Sequence, residues 1–224
     1  MNYTFQFGVA LASLPALLQG ALVTIAIALL AFWGGALIGL VGATAKAFGG
    51  RPLRGVARAY VIFFTNTPAL LQIYFLYYGL PELEIRLSAF ACVVIGMTLN
   101  AGAYLTDIMR AGFLSVRRTE LDAAAVLGMS LPQQLAYVIV PHIVKTLYPA
   151  LANFFILLVL GSSMGAVFSV NELTGTAIDI STETYRWLEM FVLVACIYVV
   201  LSFAASLSLA LVGRVAFRVR ARVF

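Results

Sequence analysis

Charge is scarce in this sequence. Only 10% of its 224 residues are Asp, Glu, Lys or Arg, against about 25% in a soluble domain. Residues 1–45 carry none, and further uncharged runs cover residues 59–81, 87–106, 146–171 and 190–213. Histidine occurs once, at His142, and cysteine twice, at Cys92 and Cys196. That excludes a Cys/His metal cluster, a disulfide framework and a His-based triad; the two thiols read as small core hydrophobes. There is no GxxxxGK[ST] phosphate loop and no GxSxG elbow, so energy for any work must come from an ion gradient or from a partner that hydrolyses ATP. The absence of polar/apolar alternation over strand lengths argues against a β-barrel.

The chain is rich instead in apolar residues, 63% of the total. Each uncharged run reaches roughly the 20 residues that cross a bilayer as a helix. The first run is too long for one span. Pro15 is expected to divide an interfacial piece, residues 1–14, from a span at residues 17–45. No Lys or Arg precedes it, so the segment reads as a retained span and not as a signal peptide. The expected fold is an all-α membrane protein of five transmembrane helices. Alternate loops then place Lys46, Arg51, Arg54, Arg58, Arg110, Arg117, Arg118, Lys145, Arg214, Arg218, Arg220 and Arg222 on one side, and Arg86 and Arg186 on the other. By the positive-inside rule the N-terminus is outside and the C-terminus inside. Glu82, Glu84, Glu172, Asp179, Glu183 and Glu189 fall to the outer loops, of which residues 171–186 form the longest. The net charge of +5 is accounted for by orientation and anionic lipid and needs no nucleic-acid partner.

Within the spans, polar residues mark candidate sites. In span 1, Gly35 and Gly39 form a GxxxG, for packing within the subunit or against a second copy. In span 2, Thr65-Asn66-Thr67-Pro68 precedes Gln72. Pro68 kinks or breaks the helix; Thr65 and Gln72 either satisfy the kink locally or belong to a polar stripe facing a pathway. Tyr74, Tyr77 and Tyr78 approach the outer interface, where an aromatic belt accounts for the last two. In span 3, Asn100, Tyr104 and Asp107 share a face. Asp107 is either a functional acid or a helix-end partner of Arg110. In span 4, Pro149 is a second kink point with Asn153 one turn beyond, and Ser162 and Ser163 suit either close packing or solute contact. His142, among basic residues, reads as a helix-end or interfacial group.

Between spans 3 and 4 lies a polar island, residues 119–141. Thr119 reads as an N-cap with Asp122 three residues on, an Asp version of a capping box. Ala123, Ala124 and Ala125 propagate the helix, and Gly128 ends it in the left-handed region. Ser130, Pro132 and Gln133 start a second helix at once. Such a doubly capped knuckle on the inner face is shaped to dock a partner.

These features, in this order, resemble a permease subunit of a type I ABC importer of the polar amino acid family. Asp122-Ala123-Ala124, Gly128 and Val140-Pro141 are similar to the family's cytoplasmic EAA loop, with Asp for Glu and Val for Leu. The segment TNTPALLQIYFLYYGLP at residues 65–81 resembles the family's second-span motif. Residues 100–112 resemble its Asn-Ser-x-Ala-Tyr-x-x-Glu stretch, with Asp107 for Glu. Asn153, Ser162-Ser163 and Glu172-Leu173 match the fourth span and its exit. The resemblance covers about residues 14–214. It implies a transmembrane domain at residues 15–214, with the coupling loop at about 115–141 and a basic cytoplasmic tail at 215–224. It further implies a bacterial inner-membrane subunit that is not itself an enzyme and binds no cofactor, ATP and Mg being held by a partner ATPase. That ATPase dimer would dock on a coupling helix carrying Thr119, Glu120, Asp122, Ala123, Ala124 and Gly128. A second permease subunit would complete the pathway, and an extracytoplasmic binding protein would deliver a polar amino acid or related solute. Thr65, Gln72, Asn100, Tyr104, Asp107, Asn153, Ser162 and Ser163 would line the pathway. Thr65 stands where the family usually has Arg, and Leu160-Gly161 where it has Lys-Asp. These losses favour a heterodimer whose other half carries more of the solute site; a homodimer for a less charged solute is the alternative. The rival function is a standalone gradient-driven transporter or channel, which needs coupling-ion ligands and typically internal repeats; Asp107 is the one acid placed to serve it.

Overall fold

The computed structural model describes residues 5–217, which are helical almost throughout with no β-strand among them. Four helices are long and apolar enough to cross a membrane: α2 (Leu14–Phe48), α5 (Ala89–Ser115), the continuous helix Pro132–Phe168 that contains α8 (Val140–Gly161), and α10 (Trp187–Phe217). A fifth crossing exists if α3 (Arg51–Thr65) and the stretch beginning with α4 (Ala69–Tyr74) count as one span, for these meet at an angle of 100°. The expected kink at Pro68 is therefore a full break: Asn66 leaves the helix and Pro68, extended at ψ 133°, caps the next one. Arg218, Arg220 and Arg222 of the expected basic tail, and residues 1–4 of the N-terminal piece, lie outside the described residues.

Pro15 does not separate two segments as expected. It sits in the first turn of α2, where a missing N–H costs nothing. The division comes earlier, between α1 (Phe7–Ala12) and Leu14. Ala10 of α1 packs with Leu17, Met190 and Val194, which fastens the N-terminal helix to the start of α2 and to α10.

The main packing axis is α2 against α5. A Cβ on Gly39 would lie 2.7 Å from the Leu105 Cβ and 3.0 Å from its carbonyl carbon; one on Gly35 would lie 2.8 Å from the Ala101 Cβ. The GxxxG face is thus filled by α5 of the same chain, and small residues let the two backbones approach. Ile73, Val93, Met97, Leu105, Val159 and Phe168 complete this core. Trp33, Leu37, Val41, Val199 and Val200 remain exposed around it, as a lipid-facing surface requires.

Several expectations about the ends change. Residues 171–186 are mostly helix, α9 (Leu173–Thr184), and not an open loop. Glu172 and Glu189, assigned to outer loops, are completely buried. Tyr74 and Tyr77 pack their rings on buried Phe168, at 4.9 and 5.4 Å, whereas Tyr78 is exposed. Cys92 is buried as expected, whereas Cys196 is exposed on α10.

Candidate coupling hairpin and translocation site

The polar island folds as a short helix, a glycine turn and the foot of the fourth long helix. The short helix, α6 (Arg118–Val126), starts one residue before the expected cap, Thr119. Arg117 is the N-cap, its carbonyl accepting from the Glu120 N–H at 3.0 Å. Thr119 is therefore inside the first turn and makes no cap bond, and the acid in that turn is Glu120, not Asp122. With Arg117 at the cap and no side-chain cap bond, Glu120 comes to lie beside the free N–H groups, where a carboxylate is favoured. Ala124 is the one buried residue of α6, whereas Asp122 and Ala123 are exposed.

Gly128 ends the helix as its sequence predicts, at φ +73°. The Met129 N–H donates to the Ala124 carbonyl at 3.1 Å and the Gly128 N–H to the Ala125 carbonyl at 2.9 Å. This paired pattern closes a Schellman turn and satisfies carbonyls that the helix end would leave free. Ser130 then donates both its N–H (2.8 Å) and its hydroxyl (3.1 Å) to Gln133 Oε1, the reciprocal half of a capping box. The second helix does not stand alone. α7 (Leu131–Gln134) runs through a π-helical turn, Leu135–Ile139, straight into α8. His142, in the first turn of α8, reaches back to α6 with Nδ1 3.3 Å from Glu120 Oε2. Val126 and Leu127, at the tip beside Gly128, are 88% and 79% exposed.

The break at Pro68 gathers part of the expected pathway set. Pro68 has no N–H to give the Phe64 carbonyl, the acceptor one turn back. Two side chains replace it: Gln72 Nε2 at 3.1 Å and Asn100 Nδ2 at 3.0 Å. Gln72 Nε2 also donates to the Thr67 carbonyl (3.1 Å) and hydroxyl (2.7 Å), while its Oε1 is buried with no hydrogen-bond partner among the described residues. Thr65 bonds its own helix at the Val61 carbonyl. Buried polar groups at a break in a membrane helix need such partners, so Gln72 and Asn100 hold the bend whatever else they do.

The other expected residues are placed elsewhere. Tyr104, one turn along α5 from Asn100, is 42% exposed with its ring 5.9 Å from that of Phe154, and Asn153 beside Phe154 is exposed. Asp107 pairs with Lys46 at the end of α2, not with Arg110. Ser162 and Ser163 begin a 3-10 segment, Ser162–Phe168, and donate to carbonyls three residues back; Ser162 is buried. Ser163 borders an open groove of about 480 Å³ together with Leu160, Thr174, Phe191, Val194 and Tyr198.

Beside that groove is a polar node that composition and periodicity did not reveal. Glu172 is the N-cap of α9. Its Oε1 accepts from the Gly175 N–H (2.8 Å), and its Oε2 from the Thr174 N–H (3.0 Å), the Tyr198 hydroxyl (3.0 Å) and the Thr24 hydroxyl (3.2 Å). Thr24 in turn accepts from the Leu173 N–H. One carboxyl so joins α2, α9 and α10. Burial pushes its pKa up, and the bonds to Thr174, Gly175, Tyr198 and Thr24 work against that push. A Glu three residues before Gly175 was the available signal, but the hydroxyls that bury it come from residues 24 and 198. No group of three or more His, Cys, Asp or Glu capable of holding a metal occurs among the described residues.

Comparison with known proteins assigns the chain a family. Residues 35–217 match the model for the binding-protein-dependent transport system inner membrane component. The glutamine transport system permease protein GlnP of Escherichia coli (strain K12) is 32% identical over 196 residues, 87% of this chain and 90% of that protein. The L-cystine transport system permease protein TcyB of Bacillus subtilis (strain 168) is 34% identical over 194 residues, 86% of this chain and 83% of that protein. A crystal structure of an amino acid ABC transporter with histidines superposes with a TM-score of 0.87 at 32% identity, covering 95% of this chain and 99% of that one. The all-helical fold and these relatives agree: the chain belongs to the inner membrane components of binding-protein-dependent transport systems, as a permease subunit of an ABC importer and not an enzyme in itself.

Proposed function

We propose that this subunit forms half of the pathway of a bacterial inner-membrane importer that takes up a polar amino acid or a similar small polar solute by alternating access. A separate ATPase dimer binds ATP and Mg and docks on α6 from the cytoplasm; an extracytoplasmic binding protein delivers the solute. The N-terminus is outside and the C-terminus inside, in keeping with twelve Lys and Arg assigned to one side and two to the other. Tyr104 and Asn153, exposed on neighbouring helices, face the pathway; Gln72 and Asn100 shape its bend. Thr65 and Leu160-Gly161 offer this half no charge for an amino acid's carboxylate or ammonium, which favours a heterodimer with a second permease that supplies it.

The observation that carries the coupling role is the α6 hairpin. Exposed Val126 and Leu127 at a rigid, Gly128-closed tip call for an apolar cleft on a partner. A Cβ on Gly128 meets nothing within 4 Å, so substitutions there act through backbone strain and through what the tip presents. Gly128→Asp puts an anion at the negative end of α6 and on the docking surface. In the assembled importer it should leave ATP hydrolysis running and abolish uptake. Normal uptake by Gly128→Asp overturns the coupling role. Co-purification tests the pairing: an active complex that contains this permease and no other overturns the heterodimer.

A further inference from the structure

We infer that the Glu120–His142 pair is a strut that carries motion of α6 directly to the helix of the fourth span. The inference rests on α6 being the part that meets the ATPase. The covalent route from α6 to α8 is indirect. It passes the Gly128 turn, four residues of α7, and the π-helical turn Leu135–Ile139 before reaching Pro141, which supplies no backbone N–H. Glu120 Oε2 and His142 Nδ1, 3.3 Å apart, bypass all of it. They join the first turn of α6 to the first regular turn of α8, beyond the π segment.

Little else holds α6 to its own chain. Ala124 is its one buried residue, and its tip residues face outward. His142 is the pair partner of Glu120; Lys145, one turn further along α8, and Arg117 and Arg118, at the start of α6, make no ion pair among the described residues. Both side chains of the pair are half-buried, which shields the contact from solvent. The imidazole can donate through Nδ1–H whether neutral in that tautomer or protonated. α8 then leads to Asn153 and Phe154, whose ring meets that of Tyr104. The strut thus connects the docking helix with the helix that faces the pathway. Glu120 and His142 are positioning residues: they touch no solute or nucleotide.

The test measures uptake and ATP hydrolysis together in proteoliposomes holding the complete importer, with recovery of bound ATPase as the check on assembly. Glu120→Ala and His142→Ala should each lower uptake per ATP hydrolysed about three- to five-fold, the scale of one part-shielded hydrogen bond, with hydrolysis and assembly kept. The double variant should be no worse than either single one. The exchanged pair, Glu120→His with His142→Glu, should restore the ratio, which two residues acting separately would not produce. Normal ratios in the single variants, a double variant equal to the product of the two losses, or an exchanged pair without rescue each overturn the strut. Gly128→Asp runs alongside. If it uncouples while the pair variants do not, the strut is wrong and α6 docking stands; if it too leaves uptake normal, the docking role falls.

Discussion

Replacing Glu172 by alanine removes the acceptor of four hydrogen bonds from a fully buried site. The hydroxyls of Thr24 and Tyr198 can turn to other acceptors; Tyr198 already lies 2.9 Å from Thr174 Oγ1. The N–H groups of Thr174 and Gly175 cannot, and each buried orphan costs about 1–3 kcal/mol. The vacated side-chain volume adds a cavity term. Together the loss is roughly 3–5 kcal/mol, at the upper end for a single substitution. For a chain of this size that corresponds to a fall of roughly 10 °C in apparent melting temperature, measured on the purified complex. Glu172→Gln keeps one acceptor oxygen and sets an NH2 against at least one donor, so about 1–3 kcal/mol is expected. The pH dependence has a definite sign. Burial raises the carboxyl's folded-state pKa above its unfolded value. The stability Glu172 contributes relative to Gln is then full below the unfolded value and declines as pH rises through the folded one. The gap between wild type and Glu172→Gln should narrow with rising pH. An alanine variant melting within about 2 °C of wild type, or a gap that widens with rising pH, overturns this role for Glu172.

Other expectations follow from the same contacts. Gln72→Ala and Asn100→Ala each leave the Phe64 carbonyl one donor, so each should reduce uptake mildly; the double variant leaves it none, and uptake should fall further than the product of the single effects. Gly39→Val drives a side chain against the α5 backbone 3.0 Å from the new Cβ and should cost about 1–3 kcal/mol, read as lost expression and lowered melting temperature. Gly128→Asn, which tolerates the left-handed region, should keep the coupling that Gly128→Asp loses, read as uptake per ATP hydrolysed.

Long spans were legible because charge-free runs need no tertiary information: residues 190–213 became the body of α10 directly. Gly128 was legible because a left-handed helix end is a local event. Pro68 announced a disturbance, but its size depended on Asn100, which α5 brings to the freed Phe64 carbonyl. The same holds for the acids. Asp107 looked to Arg110 one turn away and found Lys46 on α2; Glu172 looked like a loop acid and became the centre of three helices. In each case the deciding partner is remote in sequence. The start of α6 differed for another reason: the helix begins at Arg118 with no side-chain cap, so the Ser/Thr-type cap that Thr119 offered is not used.

Reconstitution reads ATP-driven import directly. The purified permease complex, with its ATPase and binding protein, is placed in liposomes and uptake of labelled glutamine and other polar amino acids is followed with ATP on the ATPase side. Uptake should require ATP, the ATPase and the binding protein together, and should persist when ion gradients are collapsed. Uptake by this chain alone, driven by an ion gradient and indifferent to ATP, would instead make it a standalone secondary transporter.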